Sequence, residues 1–259
     1  MQSIVTLDCD TPDTALKSTS AILTIRTDEL LRRLRCFDFD SVSEDEKRRH
    51  DYETLLILHC LGVGLDDLPT PAMVHWFHAT RVSPDTTFQD GILPLLMVRE
   101  RIWTFLGSLA SEWVTAADWA SFRNNMGGSG AGAYQLKIKR MDGPYGVLCR
   151  DAIFKPEEFS QHDYLNRPEI IEHICTSFEE MFKHSLWHRF VAATKPCIVK
   201  FRSSKPRLDA VGKALMYIHK NAKNDGEWLY RCNTCFENEG NVIAPNDILR
   251  IDWPSPMNA

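Results

Sequence analysis

Apolar and polar positions alternate in different ways along this chain, and the changes of period mark its elements. The first 20 residues are rich in Ser, Thr and Asp and predict a mobile start. Leu30, Leu31 and Leu34 then recur at helical spacing behind Thr27, a candidate N-cap. Ser43 and Glu46 form a capping-box pattern ahead of a stripe of Tyr52, Leu55, Leu56, His59 and Cys60, which Gly62 and Gly64 end. At Val74 the pattern turns strand-like, through Val74-His75-Trp76-Phe77-His78. Ser83-Pro84 reads as the start of a short helix closed by Gly91, and Ile102, Phe105, Leu106, Leu109 and Trp113 share the face of a longer one. The glycine-rich stretch from Gly127 to Gly132 reads as a loop. It leads into the alternating run from Tyr134 to Lys139, a predicted strand, with another predicted from Tyr145 to Phe154. From Pro168 to Ala193 the helical period returns, with Ile170, Ile171, Ile174, Phe178, Met181 and Phe182 inward. Short strands are predicted at Cys197–Phe201, Ala214–His219, Glu227–Cys232 and Asn241–Ala244. Helices early and strands late predict an α+β fold, not a doubly wound sheet.

Composition narrows the class. A chain of 259 residues, 44% hydrophobic and 25% charged, is an ordinary globular protein with room for one large domain, or a smaller domain and a helical extension. A net charge of −5 argues against gripping nucleic-acid phosphates as the main task. The eight cysteines are scattered except for Cys232 and Cys235, which reads as free thiols in a reducing cytosol. The start lacks the basic and apolar regions of a secretory signal, and no apolar run approaches the roughly 20 residues that span a bilayer. The expectation is a cytoplasmic protein, or one exported into a target-cell cytosol without a classical signal, and not a membrane protein.

Two segments carry candidate chemistry. In Trp76-Phe77-His78-Ala79-Thr80-Arg81, a histidine at a strand end offers a rigid group with two hydrogen-bonding nitrogens, or is a structural histidine beside a turn. Near the other end lies Phe236-Glu237-Asn238-Glu239-Gly240. On extended backbone the two glutamates project to one side, where carboxylates can face a developing cation or take a proton; the alternative is an acidic surface turn. Other patterns fail on context. The Gly128-x-Gly130-x-Gly132 run lacks the Lys-Ser/Thr of a phosphate loop, Cys232-x-x-Cys235 has no second pair to complete a metal site, and His184 with His188 lacks the glutamate of a metalloprotease helix. No metal site is predicted.

The His-x-Thr segment, its Gly91-Ile92-Leu93 step and the later Glu-x-Glu loop occur in the order found in the ADP-ribosyltransferase superfamily, which the chain resembles from about Val74 to Trp253. The resemblance implies an ADP-ribosyltransferase-like split β-sheet core in residues 71–259, with a helical insert, preceded by a mobile segment and helical region in residues 1–70. It implies NAD as co-substrate, with His78 on the adenosine ribose, the backbone of Ala79 and Thr80 nearby, and Arg81 toward the diphosphate. Glu239 would hold the nicotinamide ribose and Glu237 would orient the acceptor. An aromatic from Tyr134 or Tyr145, and serines at Ser203 and Ser204, would complete the middle of the site. Members that join Glu-x-Glu to serines open on Arg, whereas this chain opens on His78. The acceptor implied is a protein side chain of the Arg or Thr type, ubiquitin among those known for the family, and compact members are often toxins or effectors. Three alternatives stay open: NAD hydrolysis; transfer of an RNA phosphate to NAD over Lys200, Arg202, Lys205 and Arg207; and an interaction protein that binds no NAD.

Overall fold

The computed structural model describes residues 5–140, 143–205, 207–224 and 229–254, with only the backbone of Arg140. In chain order the elements are β1 (Thr6–Leu7), α1 (Pro12–Leu23), α2 (Thr27–Cys36), α3 (Glu44–Arg49), α4 (Tyr52–Leu61), β2 (Met73–Val82), α5 (Leu95–Ala110), α6 (Ala116–Asn124) and α7 (Ser129–Arg140). There follow β3 (Tyr145–Val147), α8 (Asp151–Phe154), α9 (Glu169–Phe182), α10 (Leu186–Ala193), β4 (Lys195–Ser203), α11 (Ala210–Lys223), β5 (Cys235–Glu237) and β6 (Ile248–Asp252). The fold is mixed α and β around an open sheet of order β5-β3-β2-β4-β6. β1 pairs parallel to β2, with Thr6 opposite Met73; β3 pairs antiparallel to it, with Val147 opposite Phe77. Among the described residues no helix is long and apolar enough to cross a membrane.

The chain divides into two compact units, each made of three segments. The first comprises Met1–Phe77, Gly146–Gln161 and Lys200–Phe236; the second comprises His78–Tyr145, His162–Val199 and Glu237–Ala259. β2 and β4 therefore each begin in one unit and end in the other.

In the first unit α11 is buried on nearly every side, from Ala210 and Val211 to Ile218 and Lys220, and packs against α1, α2 and α4. Phe236 meets the rings of Trp76 and Phe201 at centroid distances of 5.4 and 5.3 Å. Lys200 is buried between Asp8 (2.7 Å) and Asp10 (3.1 Å). Burial alone would raise the Asp8 carboxyl, but hydrogen bonds from His75 and Lys200 outweigh it and hold it at about 2. In the second unit α7 packs along α9, and Trp103, Phe122, Tyr134, Ile174, Phe178 and Phe190 form the core.

The strands at Val74–His78 and Cys197–Phe201 and the helices between Pro168 and Ala193 form where the pattern placed them. Elsewhere local chemistry overrides the reading. In the Ser/Thr/Asp-rich start, Thr11 and Thr14 close a capping box, Pro12 takes the first helical position, and Ala15 and Leu16 are buried in α1. The Arg26 backbone, not Thr27, caps α2. The Ser43 cap opens only α3; the chain extends at His50, and Asp51 caps α4 anew through the Thr54 N–H. Residues 83–91 make two turns, closed by Thr86 N–H to Ser83 O and Gly91 N–H to Phe88 O, in place of a helix.

The two largest corrections turn strands into helices. Tyr134–Lys139 lies in α7, where Tyr134 is buried and Leu136 is exposed, as a helix requires and an alternating strand does not. Ala214–His219 lies in α11. The strand predicted from Tyr145 stops at Val147, and α8 follows; Asn241–Ala244 contributes only a bridge between Ile243 and Ile92. Of the Glu227–Cys232 prediction, Glu227 and Trp228 lie outside the described residues, and Leu229–Arg231 is a single 3-10 turn.

Candidate functional site

The second unit joins two chemically capable side chains, His78 and Glu237, through Tyr145. His78 continues β2, and its Nδ1 lies 2.7 Å from the Tyr145 carbonyl oxygen. That oxygen can only accept, so Nδ1 carries the proton, and Nε2 of the neutral ring is an acceptor. Burial lowers the His78 pKa below the usual imidazole value, more than the Tyr145 bond raises it, and favours this neutral form. The Tyr145 hydroxyl donates to Glu237 Oε1 at 2.9 Å. Tyr145 thus holds the histidine with its main chain and the carboxylate with its phenol.

Backbone pairing fixes the loop that carries the glutamates. Asn238 N–H donates to Pro144 O (3.2 Å), and Gly240 N–H to Gly143 O (3.1 Å). The Asn238 side chain donates to the carbonyl of Asn241 at 2.8 Å. β5 ends at Glu237, and Glu239 and Gly240 turn with φ of +51° and +77°. The expected extended Glu-x-Glu does not form. Glu237 is half-buried against Tyr145, while Glu239 is exposed at the turn.

Beside them lies a cavity of about 470 Å³, within the range of small-molecule sites. His78, Ala79, Thr80, Arg81 and Tyr145 line it. Leu95, Val98, Ile102 and Phe105, at helical spacing on α5, supply apolar surface with Ile170 and Phe190. Neither Glu237 nor Glu239 belongs to the lining; Glu237 reaches it through Tyr145. Three cations line it. Arg81 donates to Leu165 O (3.2 Å), Val191 O (3.3 Å), Thr194 O (3.1 Å) and Thr194 Oγ1 (3.2 Å), which caps the end of α10. Lys137 pairs with Glu169 at 2.6 Å, and Arg101 has a looser, exposed partner in Asp90 at 3.8 Å.

Other expected site residues lie elsewhere. Tyr134 is core: its hydroxyl accepts from Trp103 Nε1 at 2.8 Å, and the rings meet edge-on. It does not line the cavity. Ser203 and Ser204 belong to the first unit, where Ser203 Oγ accepts the Lys205 N–H at 3.1 Å. Two of the four residues of the alternative basic patch pair with carboxylates of the first unit. Lys200 turns inward to Asp8 and Asp10, and Arg207 makes a two-pronged pair with Asp209. Sequence reasoning missed Tyr145 as the link and the α5 stripe as a cavity wall. The signal for the second was an apolar face that begins at Leu95, a turn or more before the residues counted as core. Compared with known families, characterised proteins and solved structures, the chain matches none.

Proposed function

We propose that this chain splits the bond between nicotinamide and ribose in NAD and transfers ADP-ribose to a protein side chain. The observation that carries the reading is that His78 and Tyr145 line the cavity and that Tyr145 ties Glu237, outside the lining, to them. The residues present suit the substrate. His78 Nε2 can accept from a ribose hydroxyl, the Tyr145 ring offers a flat apolar surface to a heteroaromatic ring, and Arg101 is the cation least committed to protein partners.

The chemistry asks for a carboxylate near the anomeric carbon. As the C–N bond breaks, nicotinamide leaves with the electron pair and positive charge grows on the ribose. A fixed negative group lowers the energy of that state more than of the ground state. An acceptor nucleophile then bonds to the anomeric carbon and gives up its proton. Glu237, oriented by the Tyr145 hydroxyl, is assigned to the ribose, and the exposed Glu239 to the acceptor side. This exchanges the roles that the resemblance implies for the two residues, because Glu237 accepts from the residue that holds His78 and is the more buried of the pair.

The test uses NAD labelled in the adenylate half, the full chain and a cell lysate. Label on a discrete protein band, lost in Glu237→Gln, is the expected result. Nicotinamide release without any labelled protein would replace transfer by hydrolysis, and no NAD binding at all would end the proposal.

A further inference from the structure

β6 (Ile248–Asp252) stands at one end of the sheet order, with β4 as its one neighbouring strand among the described residues. An end strand carries main-chain N–H and C=O groups along its outer side, and such a row pairs with another strand unless side chains block it. The segment in question is Leu249-Arg250-Ile251-Asp252-Trp253. Leu249 is 42% exposed and Trp253, directly after the strand, is 44% exposed, with Ile251 half-buried between them. Alternate residues of a strand share a face, so these three apolar side chains lie on one side of the sheet, and Arg250 and Asp252 on the other. The charged pair agrees with that placement: Arg250 Nε donates to Asp252 Oδ1 at 2.8 Å, and its Nη2 donates to Oδ2 at 2.9 Å.

About Ile251 the segment is complementary to its own reverse. An antiparallel copy centred there sets Leu249 opposite Trp253 and Arg250 opposite Asp252, each twice, and Ile251 opposite itself. The two-fold axis of such a pair is perpendicular to the sheet, so every residue keeps its face. Apolar side chains then meet on one side, and four charges alternate in sign on the other. Pairing brings a second opposite charge beside Arg250 and Asp252 and does not require the pair within the strand to separate. Two lysines at these positions would repel their copies, whereas an arginine and an aspartate two residues apart attract theirs.

We infer that β6 is an interface for a second copy of this chain, which joins two sheets edge to edge by antiparallel pairing centred on Ile251. Leu249 and Trp253 supply the apolar contacts. Arg250 and Asp252 fix the register, because moving the centre to either of them sets that residue opposite its own like charge. A contact over Leu249–Trp253 is at the small end of protein interfaces, so the expected dissociation constant is micromolar, not nanomolar. None of these residues lines the cavity of the second unit, which keeps the interface apart from the proposed reaction.

The test is sedimentation equilibrium of the full chain across micromolar concentrations, with wild type, Arg250→Asp, Asp252→Arg and an equimolar mixture of these two variants. Thermal unfolding checks that each is folded. Wild type should dimerise. Each variant alone should associate about tenfold or more weakly, because its copies set like charges opposite each other at both positions. The mixture should regain wild-type association, since each variant then faces the opposite sign. Leu249→Lys, at an exposed position, should weaken the dimer in the same way. A monomeric wild type would overturn the inference, as would association that the folded variants keep, or a mixture that stays monomeric. Open-ended oligomers of wild type would also overturn it, because a two-fold edge contact closes on itself.

Discussion

Arg81 lines the cavity of the second unit, yet its guanidinium reaches three main-chain carbonyls and the Thr194 hydroxyl. Removing it leaves those acceptors without their donor, so its substitution acts on stability before it acts on any ligand. Arg81→Met should lower unfolding free energy by about 2–3 kcal/mol, read from urea titrations, with NAD affinity little changed. A large loss of NAD affinity at unchanged stability would return Arg81 to the ligand. His78 makes a prediction in pH. Its folded pKa is depressed, chiefly by burial, so as pH falls below about 6.5 the unfolded chain takes up the proton first. The His78 contribution to stability is therefore present at neutral pH and declines as pH falls from there toward the folded value. Between pH 7.5 and 5.5, wild type should lose more stability than His78→Gln; equal losses would mean that the ring is not held neutral. The histidine was legible as a polar group in a strand, although β2 runs on to Val82, past the strand end expected at His78. The role of Tyr145 was not, because a hydrogen bond to Glu237 joins residues 92 apart in sequence.

Helix α7 shows why some elements could not be read from their own residues. Its glycines look like a loop, and Tyr134, Leu136 and Ile138 alternate like a strand. The reason for Gly130 lies in α9: a Cβ there would sit 2.2 Å from the His173 carbonyl oxygen and 2.8 Å from Ser177 Oγ. A glycine that lets two helices approach has the same sequence signature as a flexible one, and only the partner distinguishes them. Gly130→Ala should therefore destabilise, by about 1–3 kcal/mol, although alanine is the better helix former. A stabilised variant would mean that α7 stands off from α9. The misreading of α11 has another cause. The six residues Ala214–His219, read alone, are too short to show the helical period that Ala210–Lys223 carries as a whole. By contrast α9 was legible because Ile171, Ile174, Cys175 and Phe178 bury one face and its charged residues lie on the other.

For the whole molecule, the chain order of the segments matters more than any single boundary. A division at residue 70 separates α1, α2 and α4 from α11, which they cover within the first unit. Residues 71–259 expressed alone should lack a cooperative unfolding transition, since the buried length of α11 would face water. A sharp transition in that fragment would show that the N-terminal helices are an appendage. The sequence conveyed that helices come first and that β2 and β4 are strands. It did not convey that both strands pass from one unit to the other, because that depends on pairing between distant segments.

The central claim is that Glu237, held by Tyr145 beside His78, serves the ribose of NAD. Its most direct test is the rate of nicotinamide release from NAD by the purified full chain, comparing wild type, Glu237→Gln and Glu239→Gln. The account predicts release by wild type, a fall of roughly 10²-fold or more in Glu237→Gln, the scale of losing one transition-state electrostatic group, and a smaller effect in Glu239→Gln. Release that survives in Glu237→Gln, or that is lost only in Glu239→Gln, would contradict it.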